Sequence, residues 1–394
     1  MIKKVLIDKA NRTYQLPPDL FSFLPDNDKP SLIKKTELID LGRFNWNISY
    51  DDETNFTPND LQPASSTKLT ELKEAIADWI YEQHKVRINP KKEIYVGGSI
   101  SQILFSIGLA FIDPGDLVFV PELGYPVYRK VITASGGEPI SYAVSSKTNW
   151  KPDFKKLSTR IGHVTRLLFL NSPHNPTGYS LTQNEFEHLV SLASKENIAI
   201  INDAAYQSIG NNQVASLLGA KNGKRVGLEI YSFSYQFGLP RLPFGFAIGN
   251  KEIIEGLSQT ASLFSSHIPN YYVDLALEGI RKFPSEKIND LQKHISKSKT
   301  EAEKLFELLN IENCSKDTLP FIWGKLSKRK SANKFAIQLF RKYRILTVPG
   351  TVFGNNGEGF LRLSLTSSPA TYQEAYKRIQ KKLSLITKGN ESDD

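Results

Sequence analysis

Residues 166–178 read RLLFLNSPHNPTG and residues 198–209 read IAIINDAAYQSI, and these two stretches decide the fold. Each opens as an apolar run and ends in a polar residue, Asn171 and Asp203. Residues 182–196 between them read as a helix, so strand, turn, helix and strand follow in order. Working outward, EIYSFS (229–234) and FGFAIGN (244–250) extend the pattern downstream. Upstream lie EIYV (93–96), a helix from Ser99 to Ile112, LVFV (117–120) and a helical YPVYRKVITASGG. Before these, TKLTELKEAIADWIYEQH (67–84) sets Leu69, Leu72, Ile76, Trp79 and Ile80 at helical spacing. Strands separated by helices, with glycine and proline punctuation, predict an α/β domain around a mostly parallel sheet.

From about residue 285 the texture changes. A long charged helix (285–309) leads to FIWGKL (321–326), a helix (331–343), ILTVPG, FLRLSL (360–365) and a last helix from Pro369. That order predicts a smaller α+β unit. The expected division is a large domain over 46–285 and a small one built from 1–45, as an arm, with 286–394. The terminal KGNESDD reads as a frayed tail.

Composition narrows the function classes. In 394 residues, 40% hydrophobic and 23% charged content supports a packed core. No apolar run approaches the roughly 18 residues of a membrane span. The opening MIKKVLIDKANRTYQ lacks a secretory core, so the expected compartment is the cytoplasm. A single cysteine, Cys314, leaves no intramolecular disulfide and no cysteine-rich metal site. Lys and Arg exceed Asp and Glu by 50 to 41, but the excess is scattered in short clusters such as KKEI and SKRK. A nucleic-acid binder concentrates such charge on one element, so neither nucleic acid nor membrane is the expected partner.

Six segments, in order, resemble those of the fold-type I, pyridoxal-phosphate (PLP) aminotransferases of class I/II. They are VGGSISQIL (96–104), DPGDLVFVPELGYPVY (113–128), NSPHNPTG (171–178), INDAAYQSI (201–209), YSFSYQFGLPRLPFGFAIGN (231–250) and GEGFLRLSL (357–365). The likeness covers roughly residues 30–385. It implies a homodimer with its sites at the subunit interface, and a role for each matching residue. Asp203 matches the carboxylate that keeps the PLP ring nitrogen protonated, so that the ring acts as an electron sink. Asn175 and Tyr206 match donors to the ring's phenolic oxygen, and Tyr125 the aromatic stacked on its face. Ser99 and Ile100, opening a helix after the GGSIS turn, and Ser232 match parts of the phosphate cup. Arg362 matches the arginine that grips a substrate carboxylate with two prongs. The same residues have plainer readings: a helix cap for Asp203, core aromatics for Tyr125 and Tyr206, an Asx-turn for Asn175, and a structural ion pair for Arg362.

The departures from the family fall on one ligand. The family's S-x-S-K lysine, which bonds PLP covalently and shuttles a proton, is replaced in Ser232-Phe233-Ser234-Tyr235, and Gln236 follows. A phenol forms no such bond, and with a pKa of about 10 it is a poor base at neutral pH. The phosphate arginine, eight residues on, is Pro243, with Arg241 as a candidate substitute. The partner-donated tyrosine falls near Pro63, and the turn facing the substrate carboxylate is Phe44-Asn45-Trp46. The expectation is therefore a reassigned, non-transaminating enzyme, or a binder of a carboxylate-bearing, amino-acid-like small molecule, with no covalent cofactor. Alternatives are an enzyme holding PLP or its amine form PMP non-covalently, and a non-catalytic partner of a true aminotransferase. Lys251 is the lysine weighed as a stand-in, at an expected helix start.

Overall fold

The apolar runs become strands because each is flanked by turn formers and covered by helices on both faces. The computed structural model describes residues 20–25, 30, 34, 37–44, 60–154, 165–209, 215–239, 242, 244–264, 267–284, 286–317, 319–327 and 331–390. Its strands are β1 (Ile39–Asp40), β2 (Ile94–Gly97), β3 (Leu117–Pro121), β4 (Glu138–Tyr142), β5 (Thr165–Asn171), β6 (Ala199–Asp203) and β7 (Gly227–Ser232). After them come β8 (Gly245–Gly249), β9 (Ile311–Asn313), β10 (Phe321–Leu326), β11 (Ile345–Leu346), β12 (Val348–Pro349) and β13 (Phe360–Ser364).

Seven strands form the large sheet in the order β2-β8-β7-β6-β5-β3-β4. Those from β4 across to β7 run parallel, and β8 runs antiparallel to both its neighbours. This is the mostly parallel α/β sheet that the sequence predicts. All six residues of β7 are buried, as expected of a strand covered on both faces. Four antiparallel strands, β12-β13-β10-β9, make the smaller sheet. Its core joins the helices Glu286–Leu308, Ala332–Tyr343 and Pro369–Asn390 through residues such as Leu305, Leu339, Leu361 and Tyr372.

Local chemistry sets the helix ends. Helix Gln183–Glu196 starts at a capping box: Thr182 accepts from the Glu185 amide, and the Glu185 carboxylate accepts from the Thr182 amide. Helix Ile100–Phe111 is capped by Ser99, whose hydroxyl accepts from the Gln102 amide at 3.3 Å. The short β1 pairs in parallel with β11, Ile39 beside Ile345, and so fastens residues 37–44 to the smaller sheet's side. Leu41 and Ser364 extend that seam, the Ser364 amide donating to the Leu41 carbonyl at 2.7 Å.

Candidate functional site

The parallel strands end together, and the side chains beyond those ends enclose a cavity of about 240 Å³. Asp203, the last residue of β6, supplies its carboxylate. Oδ2 accepts from the Tyr128 hydroxyl at 2.7 Å, and Oδ1 accepts from the Ala205 amide at 3.1 Å. Burial raises the Asp203 carboxyl to about 6, against the lowering pull of those two hydrogen bonds. Among the described residues it has no cationic partner. Tyr128 stacks on Phe169 (centroids 6.1 Å apart, 16° between planes) and meets the edge of Tyr125.

Asn175 is held by Asn171 at the end of β5. The Asn171 Oδ1 accepts from the Asn175 amide at 2.7 Å, while its Nδ2 donates to the Asp203 carbonyl at 2.8 Å. The Asn175 Nδ2 faces the Tyr206 hydroxyl at 3.5 Å. His174 beside it is fully used in the loop, its ring bonded to Thr177 and to the Leu123 carbonyl, and burial pushes it down to about 4. It stays neutral and structural.

Tyr235 packs its ring on Tyr206 (5.0 Å) and reaches the edge of Phe44 (6.3 Å). Both tyrosines and Phe44 line the cavity, as do Ser99, Ile100, Tyr125 and Ser232. Among the described residues, no lysine or arginine does. Lys251 is the first residue of helix Lys251–Ala261, which Asn250 caps; it is exposed and pairs with Glu252. Pro63 bridges to Pro269, away from the cavity. Arg241, Pro243, Asn45 and Trp46 lie outside the described residues. Gln236, after Tyr235, is turned away to donate to the Ala204 carbonyl at 2.9 Å.

Arg362 stands one layer behind the wall and is 2% exposed. Its Nη1 donates to the Asn175 Oδ1 at 3.2 Å and its Nη2 to the Gly42 carbonyl at 3.0 Å, while Nε has no acceptor. Burial depresses its pKa; only the neighbouring tyrosines oppose that. Among the described residues the guanidinium has only neutral partners, and none forms the structural ion pair weighed from sequence. One residue of the site escaped the sequence reading. Tyr128, which holds Asp203, lies in the first turn of helix Val127–Ser135, three residues after Tyr125. Phe44 is singled out from sequence, in the segment matching the turn that faces the substrate carboxylate; its ring lies over Arg362, 318 positions along the chain.

Among the described residues, no helix is long and apolar enough to cross a membrane, and no three His, Cys, Asp or Glu side chains gather as a metal set. Cys314 is half-buried, with its thiol pushed up by burial.

Comparison with known proteins agrees with this fold. The family profile "Aminotransferase class I and II" matches residues 59–379. An LL-diaminopimelate aminotransferase of Halothermothrix orenii is 27% identical over 390 residues, covering 95% of this chain and 98% of the relative. The transaminase BacF of Bacillus subtilis is 28% identical over 321 residues, covering 79% and 78%. The substrate-bound BacF structure superposes with a TM-score of 0.85 at 25% identity, covering 95% and 98% of the two chains.

Proposed function

The chain belongs to the class I and II aminotransferase family, and from that premise we propose that its cleft receives a carboxylate-bearing, amino-acid-like small molecule without lysine-dependent amino-group transfer. One observation carries this reading: Tyr235, which the resemblance sets against the family's lysine, lines the cavity, and no described residue of that wall is a lysine. What remains can bind and handle protons. Arg362 is a buried cation whose pairing is incomplete, and a carboxylate is the group that matches a guanidinium. Asp203, raised to about 6, changes protonation just below neutral pH while Tyr128 holds its orientation. Asn175 joins the two halves, since its amide faces Tyr206 and its carbonyl oxygen holds Arg362.

A second reading, PLP or PMP held non-covalently, is favoured by the Asp203 carboxylate, which is buried without a cation among the described residues. The ring half of such a cofactor fits these residues: Asp203 for its nitrogen, Asn175 and Tyr206 for its phenolic oxygen, Ser99 and Ser232 for its phosphate. The covalent half does not fit. When bound, the cofactor would supply an electron sink. We further propose a homodimer.

Titration of PLP into wild type and Tyr235→Lys, followed by borohydride reduction and intact-mass measurement, tests the reading. Wild type is expected to gain no mass. Tyr235→Lys is expected to bind PLP only loosely, because Pro243 still stands at the phosphate arginine's position, and a charge-assisted contact contributes about 1.5–3 kcal/mol. Adding Pro243→Arg should tighten binding beyond either single change. A reducible adduct in wild type would sink the proposal.

A further inference from the structure

Phe44 is the wall that the cavity and Arg362 share. Its side chain lines the cavity, and its ring lies over the Arg362 guanidinium, 5.1 Å from the central carbon. Phe353 and Phe321 cover the same group at 5.0 and 5.9 Å. Among the described residues no carboxylate pairs with this guanidinium, and Nε is left without an acceptor. Ring faces and two neutral oxygens offset only part of the cost of burying a charge. An anion would complete the pairing, and the Phe44 ring, with Asn175, lies against both the guanidinium and the cavity.

That ring is also packed against other aromatic rings. It meets the faces or edges of Tyr206 (6.4 Å) and Tyr235 (6.3 Å), and stacks near Phe321 at 6.2 Å. A ligand that moves it gains Arg362 but uncovers these apolar surfaces to water. Only a carboxylate that brings its own apolar group restores both contacts. Small polar carboxylates restore one.

We propose that Phe44 is the specificity-determining residue of this cleft. It closes Arg362 to short carboxylates and admits carboxylates bearing an aromatic or bulky apolar group, which take its place against Tyr206 and Tyr235. The inference rests on the reading of the cleft as a carboxylate site, and deepens it by naming the ligand class.

The probes are propionate and 3-phenylpropionate, titrated calorimetrically into wild type, Phe44→Gly and Phe44→Leu. Wild type is expected to prefer the phenyl-bearing acid by at least tenfold. Phe44→Gly should tighten propionate by at least tenfold and shrink the preference, with Phe44→Leu between them. The rate at which 2,3-butanedione modifies Arg362, read by peptide mass, should rise in the same order. Phe44→Leu keeps apolar bulk at the position, so the comparison survives if Phe44→Gly loses its fold. Wild type binding propionate as tightly as the Phe44 variants, with Arg362 equally reactive, overturns the role of Phe44 alone. Absence of any carboxylate binding in all three proteins overturns the carboxylate reading beneath it.

Discussion

Burial raises Asp203 to about 6, whereas an aspartate in an unfolded chain titrates near ~3.9. Over that window the folded protein holds this proton and the unfolded chain has released it. Stability contributed by this group is therefore greatest below pH ~4, falls as pH rises toward 6, and is level above. Two pKa units correspond to about 3 kcal/mol. Asp203→Asn cannot titrate, so its stability relative to wild type should climb by up to that amount between pH 4 and 7, read from urea unfolding midpoints. The Tyr128 hydroxyl pulls the other way, since its bond favours the carboxylate. Tyr128→Phe should then move the inflection upward. A difference between Asp203→Asn and wild type that stays constant with pH would show a carboxyl titrating normally. The same buried carboxyl is the group that a protonated ring nitrogen or ligand amine would neutralise, so ligand binding and this pH dependence are linked.

Helix Gln183–Glu196 depends on its first turn, where Thr182 and Glu185 satisfy each other's backbone donors. Thr182→Ala should cost about 1 kcal/mol of stability, measurable as a lowered unfolding midpoint with an unchanged denaturant slope. This helix was legible in the sequence to within one residue. Thr-x-x-Glu marks its start, and Phe186, Leu189, Val190 and Ala193 repeat at its buried spacing. The strands that end in Asn171 and Asp203 were legible for a different reason: strands buried on both faces are apolar throughout. The edge strand β4 was not, because EPISY carries a glutamate and a proline where one side of the sheet is half-exposed. Helix Asn270–Arg281 also went unread, although Val273, Ala276, Leu277 and Ile280 keep helical spacing. Within the site, the family resemblance pointed to Asp203, Asn175 and Tyr235, and all three line the cavity. The resemblance could not foresee that Arg362 turns away from the cavity wall. That orientation follows from the Gly42 carbonyl and the Phe44 ring, which β1 brings across from the far end of the chain.

At the scale of the whole molecule, one side of the large sheet's helical layer carries exposed apolar side chains. Leu263 is 74% exposed and Phe264 is 42% exposed. Phe264 contacts Phe105 at 5.7 Å, and Leu109, one turn further along the same helix, is also exposed. The neighbouring segment joins this side: the Ala64 amide donates to the Ile268 carbonyl and the Asn270 amide to the Gln62 carbonyl, both at 2.9 Å. Leu61, 66% exposed, lies beside that seam. Single exposed leucines are ordinary on any surface, but a cluster drawn from several elements is the usual mark of an interface. The occupant is argued to be a second copy of this chain, because two-fold pairing lets one patch cover itself. Light scattering after size exclusion should give twice the chain mass. Leu263→Asp combined with Phe264→Ser should shift the equilibrium toward single chains, since the pair of changes places charge and polar surface where the partner would exclude water. The cavity is walled by described residues of one chain, so on the proposed reading the separated chains should keep the preference for 3-phenylpropionate. A wild type that elutes as a monomer at every concentration tested would rule out the self-association. Loss of that preference on separation would mean that the second copy completes the cleft.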